Sequence, residues 1–126
     1  MKLMGIDFGT KRIGVAISSE DGAFALPRTV LQNDSEAIQT LADMCAKENV
    51  GTIILGESRD FAGQKNPVMK KVEEFKEKLA KATNLPIEYE LEFMTSREAS
   101  HIQGEGKMLD ASAAALILKS YIEKQK

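Results

Sequence analysis

The chain has very few of the residues that make cross-links or zinc sites. It contains one cysteine and one histidine, Cys45 and His101. A single cysteine excludes an internal disulfide, and one cysteine with one histidine excludes an ordinary zinc cage. The chain also lacks an excess of positive charge, because it contains 17 lysines and arginines and 19 aspartates and glutamates. The net charge of −2 excludes a strongly basic protein that coats nucleic acid, but not an enzyme that holds it locally.

Long apolar stretches are missing as well. No run approaches the roughly 20 residues that a membrane helix needs, and Asp7 stands where a signal peptide would have its apolar core. We therefore expect a cytoplasmic protein without a membrane segment. Hydrophobic residues at 43% and charged residues at 29% are typical of a globular chain. The length suits a single domain over residues 1–126.

The first third of the chain has the patterns of β-strands. Apolar and alternating residues predict strands at 2–8 and 12–19, and the short glycine-containing link between them predicts a hairpin. A third strand is expected over 23–31. Pro27 inside it indicates an edge position, because proline cannot donate a hydrogen bond to a neighbouring strand.

The rest of the chain alternates between helical and strand patterns. Asn33 and Glu36 resemble a capping box that opens a helix over residues 34–48. The later elements are expected as a buried strand at 52–55, a helix from Pro67, a strand at 87–93, a short helix from Thr95 and a last helix over 110–123. This order predicts an α/β fold with a mixed sheet, whose later strands run parallel to the first and whose faces are covered by helices.

Asp7 is the first candidate functional residue. It ends an apolar strand, and ligands of open α/β sheets gather at the carboxyl ends of parallel strands. A carboxylate there suits a hard cation, and Lys11 and Arg12 follow at a distance that suits phosphate oxygens. An ordinary turn with a capping aspartate is the alternative.

Asp110 is the second candidate. Helical spacing puts it on the face of Ala114, Ile117, Leu118 and Tyr121, which is the expected core face, and the neighbouring alanines allow this helix to approach the sheet closely. The alternative is an acid that only favours the helix dipole.

Further carboxylates follow two later strands. Glu88, Glu90 and Glu92 alternate along one strand, where they would form the solvated face of an edge strand. Glu92 is nearest the carboxyl end and is the best ligand of the three. Glu57 ends a strand expected about 4.8 Å from the first, so it could share a cation with Asp7. Three carboxylates at one sheet edge would bind one or two Mg²⁺ or Mn²⁺ ions and support two-metal phosphodiester cleavage.

Two segments resemble a known family. Ile6-Asp7-Phe8-Gly9-Thr10-Lys11-Arg12-Ile13-Gly14 resembles the opening of the YqgF/RuvX proteins, which are Holliday-junction-resolvase-like nucleases, and the segment 109–121 resembles their last helix. The resemblance implies a ribonuclease-H-like three-layer fold with a five-stranded sheet. It also implies a bacterial nuclease linked to 5′-end maturation of the 16S ribosomal RNA precursor, with Asp7, Glu92 and Asp110 as its catalytic acids. Phe93 stands where the family has arginine, Leu91 where it has an acid, and Glu57 where it has leucine.

Three functions follow as alternatives. The first is a metal-dependent nuclease on structured RNA or branched DNA, with Lys11, Arg12, Arg59 and Lys107 contacting nucleic acid. The second is a non-catalytic binder of RNA or of assembling ribosomes. The third is an actin-like nucleotide-binding module, although such proteins need two domains and this chain has residues for one. The chain is expected as a monomer or homodimer, and a two-fold symmetric junction would favour the dimer.

Overall fold

The computed structural model describes residues 1–9, 11–57, 69–91 and 108–124. Over these ranges the chain forms five strands and three helices. The strands are β1 (Lys2–Phe8), β2 (Arg12–Ser18), β3 (Ala25–Gln32), β4 (Val50–Glu57) and β5 (Ile87–Leu91). The helices are α1 (Ala37–Glu48), α2 (Met69–Thr83) and α3 (Met108–Lys124). The predicted short helix from Thr95 and the predicted helix start at Pro67 lie outside the described residues.

The strands form one mixed sheet in the order β3-β2-β1-β4-β5. β1 and β2 pair as the expected antiparallel hairpin, while β4 runs parallel to β1 and β5 parallel to β4. β3 is an edge strand, as Pro27 predicts. Pro27 opposes Ala16 and Thr29 opposes Val15, so Arg28 is the extra residue of a bulge. A residue without an N–H is tolerated where the ladder is interrupted in this way.

Helices cover both faces of the sheet, which gives the three layers. On one face, α1 and α2 bury Leu41, Cys45, Val72 and Phe75 against apolar residues of β1, β2 and β4. On the other face, α3 packs Ala114, Ile117, Leu118 and Ile122 against Ala16 and Ile54. None of the helices within the described ranges is long and apolar enough to cross a membrane.

The predicted capping box at Asn33 is wrong. α1 begins at Ala37, and its N-cap residue Glu36 makes no side-chain capping bond. The preceding turn is closed by Asp34, whose carboxylate accepts the backbone N–H of Glu36 at 2.9 Å. The side chain of Asn33 instead donates a hydrogen bond to the carbonyl of Gly9 at 2.8 Å. The hydrogen bond to Gly9 uses the Asn33 side chain that would otherwise cap α1. Local spacing does not reveal it, because the two residues are far apart in the chain.

Candidate active site

Asp7 lies at the carboxyl end of the central strand, on the face that α3 covers. Successive side chains of a strand point to opposite faces. Leu3 packs in the cluster under α3, and a Cβ on Gly5 would point at α3, so Asp7 shares their face. Phe8 points to the opposite face, where its ring lies 5.0 Å from that of Phe75. Asp7 is half-buried, so its carboxylate is partly shielded from water at the sheet edge.

Glycines flank Asp7 on both neighbouring strands. Gly14 of β2 is its antiparallel partner. On the other side, Ile6 is in register with Leu55, so the next step along the ladder places Gly56 beside Asp7. Both glycines are buried. Neither glycine contributes a side chain to the row of Asp7.

α3 approaches β1 closely, as the alanine-rich sequence predicts. A Cβ on Gly5 would lie 2.8 Å from the carbonyl oxygen of Ala114 and 2.8 Å from the Cβ of Leu118. Asp110 is in the first turn of α3, four residues before Ala114, which is about 6 Å along the helix axis. Asp7 is two residues beyond Gly5, about 6.6 Å along the strand. Each candidate acid therefore lies within about 7 Å of this crossing, measured along its own strand or helix.

Gly56 and Glu57 are consecutive residues of β4, so their positions alternate between the two faces of the sheet. Gly56 follows the alternation of Ile54, which packs under α3, and is in register with Glu90 of β5. Glu57 is the last residue of β4 and is in register with Leu91. The β4 position in the row of Asp7 is therefore Gly56. Glu92 follows Leu91 directly and, like Arg59 and Lys107, lies outside the described residues.

The acidic face of β5 is only partly solvated, which corrects the expectation for Glu90. Glu88 is exposed and accepts a hydrogen bond from the Tyr121 hydroxyl at 2.9 Å. Glu90 is only 5% exposed, and its carboxylate lies 2.7 Å from the ammonium of Lys124 and accepts a 2.7 Å hydrogen bond from Ser120. Glu90 is buried because the C-terminal half of α3 covers this strand. The alternation of residues along a strand does not show which face a distant helix will cover.

The same contacts change the acidity of Tyr121. Burial raises the pKa of its phenol. The neighbouring Glu88 carboxylate raises this pKa further, because it accepts a hydrogen bond from the protonated hydroxyl. The phenol therefore stays protonated and remains a donor to Glu88. These contacts hold the C-terminal end of α3 against β5. Asp110 belongs to the first turn of the same helix.

Asn33 is a positioning residue that sequence reasoning missed. Its side chain donates to the Gly9 carbonyl and its backbone N–H donates to the Lys11 carbonyl at 2.9 Å. A Cβ on Gly9 would lie 2.5 Å from the carbonyl oxygen of Arg12, so the loop is tight and requires glycine. Lys11 in this loop and Arg12, the first residue of β2, are both exposed. Local sequence gives no signal for this role, because it depends on the pairing of Arg12 with Gln32, which brings the residue after β3 beside the loop.

The described side chains do not by themselves complete a metal centre. Within residues 1–9, 11–57, 69–91 and 108–124, no three His, Cys, Asp or Glu side chains are grouped so as to hold a metal ion. Asp7 is the predicted ligand whose side-chain environment is described. For Asp110 and Glu57 the described feature is the backbone position, in α3 and β4 respectively.

Solved structures with the same fold are resolvases. Thermus thermophilus RuvC in complex with a Holliday junction substrate superimposes with a TM-score of 0.65 at 14% identity, covering 99% of this chain and 95% of that one. The Fowlpox virus resolvase in complex with Holliday junction DNA superimposes with a TM-score of 0.60 at 14% identity, covering 99% of both chains. The ribonuclease-H-like three-layer fold expected from the sequence is confirmed.

Curated relatives extend over the whole chain. A protein of Caldanaerobacter subterraneus subsp. tengcongensis named "Putative pre-16S rRNA nuclease" is 31% identical over 100% of this chain and 99% of its own length. A protein of Thermoanaerobacter pseudethanolicus with the same name is 33% identical over 100% and 99%. The family model described as "RuvX: Holliday junction resolvase" matches residues 1–124. The chain therefore belongs to the RuvX family of Holliday junction resolvases.

Proposed function

We propose that this chain is a metal-dependent nuclease that hydrolyses phosphodiester bonds, with the 5′ end of the 16S ribosomal RNA precursor as its substrate. The proposal is supported chiefly by the close crossing of α3 over β1 at Gly5, with Asp7 two residues after Gly5 in β1 and Asp110 four residues before Ala114 in α3. The curated names of full-length relatives support the RNA substrate. An enzyme of this kind would act in the cytoplasm.

The environment of Asp7 fits a ligand of Mg²⁺ or Mn²⁺. Hard cations prefer carboxylate and water oxygens, and Gly14 and Gly56 add no competing side chain to the row of Asp7. We propose Asp110 and Glu92 as the remaining ligands, with Glu57 as the alternative to Glu92. The position of Gly56 in the row of Asp7 favours Glu92 over Glu57. One or two such ions would polarise the phosphodiester and activate water for attack.

The chain's own residues then have separate roles. Asp7 belongs to β1, which is paired with β2, and Asp110 belongs to the first turn of α3. Lys11 and Arg12, in and directly after the loop fixed by Asn33, neutralise the phosphate oxygens. Neither Cys45 nor His101 is required, because the nucleophile is water.

The test compares cleavage by matched aspartate variants. Wild type, Asp7→Asn, Asp110→Asn and Asp43→Asn are incubated with labelled precursor RNA in Mn²⁺, Mg²⁺ or EDTA. Asp43 is an exposed residue of α1 that accepts a hydrogen bond from Gln39, so it controls for the loss of one carboxylate. Asp7→Asn and Asp110→Asn should lower the rate by more than the roughly 10–100-fold cost of losing an outer-shell partner of a metal. Cleavage by Asp7→Asn at the wild-type rate would contradict the proposal.

A branched-DNA resolvase is the second candidate, because the family model is described by that activity. A four-way DNA junction tested beside the RNA separates the two: the preferred substrate is the one cut at the higher rate at equal concentration. A resolvase should also sediment as a dimer, since a junction has two-fold symmetry. Tight binding without cleavage of either substrate in any metal would favour the non-catalytic RNA binder.

A further inference from the structure

A second concave surface opens at the same edge of the sheet, on the face opposite to Asp7. It is a cleft of about 440 Å³ between the start of α1 and α2, within the roughly 300–1,000 Å³ typical of ligand pockets. Its apolar floor includes Phe8, Phe75 and Ile38. Phe8 is the residue after Asp7 and points to the opposite face, so the cleft and the candidate active site both lie at the end of β1.

Two lysines stand on the rim of this cleft. Lys71 and Lys78 are exposed, and both belong to α2. They are seven residues apart, which is about 10.5 Å along the helix axis, and Phe75 lies between them on the same side of the helix. In the part of the chain that the structure describes, neither lysine forms an ion pair. Both ammonium groups are therefore available to an anionic ligand.

The rim also has two acids, so the charge of the lining is balanced. Asp34 already accepts the backbone N–H of Glu36. Glu74 lies between the lysines, three residues after Lys71 and four before Lys78. A free anion would gain little from such a lining. A ligand that combines phosphates with an apolar base would use the lysines and the aromatic floor together.

We propose that this cleft binds a single-stranded nucleotide segment of the substrate that flanks the bond at Asp7. A base would pack against the half-buried ring of Phe8, which Phe75 supports from the core, while neighbouring phosphates contact Lys71 and Lys78. Aromatic platforms with lysines along them are the general means of binding single strands, and a base enclosed in a duplex cannot reach such a floor. The inference rests on the proposed nuclease function, because it makes the cleft part of the path of that substrate.

The test measures binding in EDTA, where no cleavage occurs. Fluorescence anisotropy is recorded with a short labelled single-stranded RNA, the same sequence as DNA, the RNA as a duplex, and an abasic strand of equal length. The cleft variant is Lys71→Ala with Lys78→Ala. Its matched control is Lys47→Ala with Lys81→Ala, which removes the same charge from exposed positions of α1 and α2 that lie outside the cleft.

The cleft variant should weaken binding of the single strand by about tenfold and lower the slope of log K against log[salt] by about 1.4, for two phosphate contacts. The control pair should change the dissociation constant by less than about threefold. Wild type should bind the abasic strand and the duplex more weakly than the intact single strand. Thermal unfolding of each variant shows that the fold is retained.

A change of opposite sign provides a second check. Glu74→Gln removes a carboxylate from the rim and should tighten single-strand binding, whereas Glu77→Gln on the same helix lies outside the cleft and should leave it unchanged. Equal weakening by the two lysine pairs, or tighter binding of the duplex, would overturn the proposal. If the protein binds the single strand through the cleft but cleaves no substrate in any metal, the nuclease function is refuted and the proposed role of the cleft in binding stands.

Discussion

Gly5→Ala tests the close approach of α3 to the sheet. The added Cβ would lie 2.8 Å from the Ala114 carbonyl oxygen and 2.8 Å from the Leu118 Cβ. Neither atom can be moved by a change of rotamer, because one belongs to the backbone and the other is bonded to it. Carbon–carbon contacts are normally about 3.5–4.0 Å, so α3 must move away by roughly 1 Å.

Overpacking of this kind costs about 1–3 kcal/mol. For a chain of this length the corresponding fall in Tm is roughly 3–12 °C. The movement of α3 also displaces Asp110 relative to Asp7, so cleavage should fall further than the loss of folded protein explains. Urea unfolding followed by circular dichroism measures the first effect, and a cleavage assay well below the Tm measures the second.

Gly51→Ala is the matched control. Its Cβ would lie 2.8 Å from the sulfur and 3.1 Å from the Cβ of Met1, which precedes β1 and is 78% exposed, so this residue can shift as a whole. The variant should therefore stay within about 0.5 kcal/mol of wild type, as surface changes usually do. The reasoning is refuted if Gly5→Ala and Gly51→Ala unfold at the same urea concentration.

Three other contacts make measurable predictions. Ser120→Ala leaves the buried Glu90 with one partner fewer and should destabilise the fold by about 1–3 kcal/mol in urea unfolding; an unchanged midpoint would contradict the burial. The hydrogen bond from Lys2 lowers the pKa of Glu48 from its ordinary 4.5, so its stabilisation is present above that pH and is lost as the pH falls through the lowered pKa. Glu48→Gln should therefore flatten the acid limb of the curve of stability against pH, and a curve identical to wild type would count against this. Burial raises the pKa of Cys45 to about 11, so its thiol should react with a disulfide reagent at neutral pH only after unfolding, and rapid reaction of the folded protein would show that the site is open.

Local patterns in the sequence determine most of the secondary structure. The hairpin follows from an apolar run and an alternating run with glycine between them, and the edge position of β3 follows from Pro27. The close contact of the last helix follows from its alanines, since small side chains let a helix approach a sheet. Asp7 stands out because an acid at the end of an apolar strand is costly to bury without a role. Each of these signals depends on residues close together in the chain.

The tertiary structure decided the features that depend on strand register and on contacts between residues far apart in the chain. The pairing of β1 with β4 places Gly56 in the row of Asp7, and a shift of one residue would have placed Glu57 there. Glu90 is buried because α3 returns over β5 from thirty residues away, and Asn33 anchors the loop after β1 instead of capping α1. Strand alternation and helical period show which residues share a face. Which face meets which partner is set only when the layers pack, because that choice depends on contacts between residues far apart in the chain.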